Sequence, residues 1–131
     1  MRLKLTEWRR ATFAVHLRPD PVYSFPARAE LAQGILSGPF GIYAGTPCRI
    51  DRDTSSRTAF TLVHLPSQHA KLTLPRQGLC RKAAEEFADC DLAWESGWAP
   101  GVSGADPEVE KAQEIYRRWK SWGVRKSWGE R

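Results

Sequence analysis

At 131 residues, 41% hydrophobic and 27% charged, the chain fits one domain with a single core and is too apolar to belong to the intrinsically disordered class. Three cysteines (Cys48, Cys80, Cys90) cannot all pair and are too few for a secreted disulfide scaffold; reduced thiols in the cytoplasm are expected, with one disulfide and a spare thiol as the alternative. The net charge of +5 is sorted into blocks: residues 1–82 carry 13 Lys/Arg against 5 Asp/Glu, residues 83–114 carry 1 against 9, and residues 115–131 carry 6 against 1, so one face should attract anions and another repel them.

Charge interleaves the first twenty residues, with no apolar run of signal-peptide length, and no run approaches the roughly 18 residues of a membrane span, so neither export nor membrane insertion is expected. Leu3 and Leu5, then Phe13, Val15 and Leu17, keep an odd-numbered apolar period that predicts strands near residues 2–6 and 11–18. Pro19, Pro21 and Pro26 make the following stretch a loop, since proline cannot donate to a sheet ladder. Residues 27–37 read as a short helix with Leu31, Ile35 and Leu36 inward, weakened at Gly34 by about 1 kcal/mol relative to alanine and closed by Gly38-Pro39.

Glycine and proline then punctuate short β pieces at residues 42–43 and 48–50, and residues 53–56 form a polar turn. A strand at 57–65, a turn at 66–68, a strand at 70–74 and a helix from about 76 to 90 follow. In that helix Leu79, Cys80, Ala83, Ala84, Phe87 and Ala88 fall on one stripe. Residues 96–105 have the Gly, Pro and Ser content of a linker. A last helix is signalled by Asp106 as N-cap, Pro107 at the first turn, Glu108 and Glu110 near the positive end, Arg117, Arg118 and Lys120 near the negative end, and Gly123 as the terminator. Its stripe of Val109, Ala112, Ile115, Tyr116, Trp119 and Trp122 should dock on an apolar surface.

Four constellations bear on function. The even face of the N-terminal strands carries Arg2, Lys4, Trp8, Arg10, His16 and Arg18, a basic ribbon with an indole in it, suited to phosphates and stacked bases and equally to a solvated sheet face. At the start of the helix near residue 76 stand Arg76, Arg81 and Lys82, with Lys71 and His69 just before them. Cations there oppose the helix dipole unless an anion lies among them, or unless Glu85 and Glu86 neutralise Arg81 and Lys82 as i, i+4 pairs. The tail adds Arg125, Lys126 and Trp128, suited to nucleobases, a lipid surface or an acidic partner. An acidic group of Glu85, Glu86 and Asp89, with Trp94 and Trp98 beside it, has the ingredients of a protein-docking surface.

No reaction is named by the sequence. His64 and His69 with Cys80 and Cys90 lack the close cysteine pairs of a zinc module, Cys48 with His16 or His64 has no flanking nucleophile motif, and no phosphate-binding glycine loop is present. The expectation is an α+β protein: a small antiparallel sheet of four to five strands with helices on one face (residues 1–95), a linker (96–105), and an amphipathic helix with a basic tail (106–131) docked on the same domain. The expected function is non-enzymatic nucleic-acid binding, without metal or cofactor, through the strand and helix-start cations. The alternative is a protein-binding adaptor or inhibitor, of the kind phages and mobile elements encode, using the acidic surface.

Overall fold

The computed structural model describes residues 5, 7–52, 59–95 and 107–129, with the backbone alone described at 70, 71 and 122–129. The described strands are β1 (Arg9–Leu17), β2 (Arg28–Ser37), β3 (Phe40–Thr46), β4 (Arg49–Ile50), β5 (Phe60–His64) and β6 (His69–Leu74), followed by helices α1 (Gln77–Ala88) and α2 (Pro107–Gly129). The chain is α+β: the strands form one antiparallel sheet in the order β1-β2-β3-β5-β6, with β4 paired to β3 off that path.

Within residues 27–37 the chain forms the strand β2 (Arg28–Ser37), not the helix their spacing suggests. β2 pairs with β1 over nine residues, from Arg9↔Leu36 to Leu17↔Arg28, and turns through Gly38 (φ 55°) to pair with β3. Leu31, placed inward by the helical reading, is 62% exposed, while Ala32 on the other face is fully buried. Gly34 belongs to this pairing, because a Cβ there would lie 2.0 Å from the Ile42 carbonyl oxygen. β2, expected as a helix, brings the described strands to six, above the four to five expected.

One face of the sheet is filled by Phe40, Ile42, Leu62, Leu72 and Leu74, which meet Cys80, Ala83, Ala84, Phe87 and Ala88 of α1 and Ala112 and Ile115 of α2. Small alanines let α1 lie close to the strands, and its buried stripe is the one its spacing predicts. No described helix packs on the opposite face, yet Val15, Leu17, Ala32, Tyr43 and Val63 are buried there with Phe13. The sheet buries them by curling on itself. Gln68, in the β5–β6 turn, accepts from the His16 amide at 2.9 Å and donates to the Ala14 carbonyl at 3.1 Å, joining the free edge of β1 to the far side of the sheet. Gly41 leaves room for the Phe13 ring inside the curl, since a Cβ would come within 2.9 Å of it.

α2 docks through Val109, Ala112 and Ile115, with Tyr116 and Trp119 partly buried beside the core. Glu86 of α1 accepts from Arg118 and from the Trp119 indole, and Lys111 lies 3.7 Å from Asp89. The backbone stays helical past Gly123 to Gly129. A lone glycine inside a helix costs only about 1 kcal/mol, and no proline follows to stop it. The strand expected at 2–6 lies largely outside the described residues; the turn at 53–56, the linker at 96–105 and the Asp106 cap lie outside them altogether.

Candidate functional site

β1 shows its even positions on the sheet face that carries the helices: Arg10, Thr12, Ala14 and His16 are exposed while Phe13, Val15 and Leu17 are buried. β2 adds Gln33 opposite Thr12 and Ile35 opposite Arg10. α1 covers β3, β5 and β6, and beside its first turns it leaves a groove against β1 and β2. The groove has a volume of about 780 Å³ and is walled by Trp8, Arg10, Thr12, Gln33, Gln77 and Arg81, with no carboxylate among the described residues that line it. Gln77 and Arg81 enter it together because residues four apart share one helix face. Two separate cation sets read in the sequence, the strand ribbon and the helix start, thus meet through Arg10 and Arg81.

Neither guanidinium is neutralised by a described residue. Among the described residues, Arg10 and Arg81 are in no ion pair, and the same holds for Arg76 and Lys82, which are exposed around the start of α1. The i, i+4 pairs that would neutralise Arg81 with Glu85 and Lys82 with Glu86 are not formed, and Glu86 is instead turned to α2. Arg76 is the N-cap residue and makes no side-chain cap, and the first turn contains no acidic residue, so α1 begins with free amides amid positive charge.

Trp8 is half-buried and packs against the helix-side core, and its indole Nε1–H is buried without an acceptor. A buried indole donor normally finds a partner, and leaving one unsatisfied costs about 1–3 kcal/mol.

Other predicted residues lie elsewhere. Arg18 follows β1 at its other end, about 26 Å along the strand from Arg10 at 3.3 Å per residue, and His16 is close to it. Lys71 is in β6, and Arg125, Lys126 and Trp128 are in the last turns of α2, with their side chains outside the description; Arg2, Lys4 and Trp98 lie outside the described residues. Trp94, assigned to an acidic docking surface, is 1% exposed. It packs on Phe40, His64 and Phe87 with ring centroids 5.4, 5.5 and 5.9 Å away, and its indole donates to the Cys90 carbonyl at 3.0 Å. Asp89 faces Lys111 and Glu86 faces Arg118, so two of the three acids in that surface are engaged within the fold, while Glu85 is exposed.

His64 is structural. Ser67 donates to its Nδ1 at 2.7 Å and its Nε2–H donates to the Trp94 carbonyl, which fixes the tautomer; burial pushes its pKa below the usual 6.5. Burial also pushes the Cys80 thiol up to about 12 and the Cys90 thiol up to about 11. All three cysteines are free, and among the described residues no three His, Cys, Asp or Glu side chains cluster as a metal site. No described helix is long and apolar enough to cross a membrane.

Sequence reasoning missed Gln33, Gln77 and Thr12 as groove walls. Gln33 was hidden by the helical reading of β2, and Gln77 and Thr12 carry no charge pattern to mark them. It also missed the β1–β2 loop, where Val22, Tyr23 and Phe25 are exposed and Arg49 and Arg28 lie over the two rings. No protein-family model, curated protein or solved structure matches the chain.

Proposed function

We propose that the protein binds nucleic acid without catalysing a reaction, gripping backbone phosphate in the groove between β1, β2 and α1. The observation that carries this reading is the meeting of Arg10 and Arg81, from elements far apart in sequence, in one groove that no described carboxylate lines. Unneutralised guanidiniums beside the free amides of a helix start favour a bound anion, and planar guanidinium suits the paired oxygens of phosphate. Arg76 and Lys82 extend the positive field around the groove and steer a polyanion toward it. The reading assumes the cytoplasm, where three unpaired thiols stay reduced.

The test is fluorescence anisotropy of labelled DNA and RNA oligonucleotides at several salt concentrations. Log affinity should fall linearly with log salt, because each neutralised phosphate releases counterions. Binding that ignores salt, or no binding at low salt, overturns the reading.

A further inference from the structure

We infer that the groove takes an unpaired strand: a nucleotide whose phosphate lies between Arg10 and Arg81 and whose base lies against Trp8. This rests on the nucleic-acid reading and goes beyond it by choosing the class of nucleic acid. Three observations carry it.

The cations are exposed and border a concavity. A protein that reads a duplex sends a helix or ribbon into a groove of the double helix or lays a surface along its backbone. Here Arg10 and Arg81 line a concavity of about 780 Å³. That is the size of a small-ligand pocket, enough for about one or two nucleotides and far too small for paired strands.

An indole forms part of the wall. Trp8 is half-buried, packs against the core and lines the groove. Stacking on an aromatic ring requires a base already free of its neighbours, which a single strand offers and a duplex does not.

Uncharged polar groups complete the wall. Gln77 and Gln33 bring amide groups to the same space, able to pair with phosphate oxygens and base edges.

The experiment uses the full chain, a labelled 12-nucleotide single strand, the same strand annealed to its complement, and unlabelled nucleoside monophosphate as competitor. Single-strand affinity should exceed duplex affinity by at least about tenfold at physiological salt, and Trp8→Ala should reduce that ratio by about tenfold, the scale of one lost stacking contact. Trp8→Phe keeps a ring and removes the N–H; it should retain most of the ratio, and it serves as the working variant if thermal melting shows that Trp8→Ala does not fold. Equal affinity for single strand and duplex, or a ratio indifferent to both substitutions in folded protein, overturns the inference while leaving salt-sensitive nucleic-acid binding in place. Displacement by nucleoside monophosphate at the same concentration as the oligonucleotide also overturns it, because the groove would then be a free-nucleotide site. Absence of salt-sensitive binding to any oligonucleotide removes the nucleic-acid reading itself.

Discussion

The two ends of the β1–β2 hairpin both carry arginine and use it in opposite ways. At the loop end, the Arg49 guanidinium sits 4.8 Å from the Tyr23 ring centre and that of Arg28 5.0 Å from Phe25, and Tyr23 and Phe25 lie against each other at 6.2 Å. Arg28 also donates to the carbonyls of Pro26 and Cys48, and Arg28 and Arg52 both hold Glu30. At the groove end, neither Arg10 nor Arg81 has an ionic partner among the described residues. Counting basic residues treats the two ends alike. What separates them is that at the loop end Arg28 is held by a carboxylate and two carbonyls and Arg49 by a ring, whereas Arg10 and Arg81 have no hydrogen-bonded, ionic or ring partner among the described residues and are available to a ligand.

The sharpest way to break this comparison is to reverse charge at each end. Arg10→Glu with Arg81→Glu should weaken oligonucleotide binding by about a hundredfold or more at moderate salt. Arg49→Glu, at the loop end, should change it less than about threefold, since peripheral charge acts mainly through the field. Comparable losses at both ends, read by anisotropy, would erase the distinction.

Next in size is Gly34→Ala, which tests the ribbon that links the ends. A helical residue 34 would gain about 1 kcal/mol from alanine. In the strand a Cβ would strike the Ile42 carbonyl oxygen, so chemical denaturation should instead show a loss of about 2 kcal/mol, the scale of overpacking. Arg28→Ala should then cost about 1 kcal/mol by lost hydrogen bonds and ring packing, lowering Tm by several degrees with little effect on binding. Arg81→Gln is its counterpart: Tm should hold or rise, because a cation near a helix N-terminus is removed, while binding falls.

Acid should reach the helix-side core and the loop end in separate windows. His64, buried under Trp94 on the helix side of the sheet, has a pKa lowered by burial, so below 6.5 the unfolded chain takes up a proton that the folded one resists. Stability therefore declines as pH falls from 6.5 toward the lower folded value, and His64→Gln should flatten that part of a Tm against pH curve. Glu30, at the loop end, is held below the usual 4.5 by hydrogen bonds from Arg28 and Arg52. Its contribution is present above 4.5 and is lost as pH falls below that value toward the lower folded pKa. The smallest expected effect is that of modifying Cys48 at the loop end: the native protein should take one equivalent of alkylating reagent, Cys80 and Cys90 reacting after unfolding, and the modified protein should bind as before.

Much of this architecture is written in local pattern. The odd-numbered apolar residues of β1, the β5–β6 hairpin and the α1 stripe follow directly from side-chain period. β2 was obscured because Leu31, Ile35 and Leu36 also satisfy a helical spacing, and because Gly38-Pro39 reads equally as a helix stop or a hairpin turn. Both cation sets were legible, but their meeting was not. It depends on β2 carrying β1 alongside β3 and on α1 beginning beside that pair, which no local window contains. Trp94 shows the same limit: its neighbours in sequence are acidic, whereas its neighbours in space are Phe40, His64 and Phe87.

The most direct test is the salt dependence of single-strand binding by the wild-type chain, by Arg10→Ala with Arg81→Ala, and by Arg49→Ala. With two phosphate contacts removed, the slope of log affinity against log salt should become shallower by about 1.4 in the groove variant, and Arg49→Ala should match wild type. A groove variant with the wild-type slope, or an equal change in Arg49→Ala, would contradict the claim that the unneutralised arginines of the groove hold the phosphates.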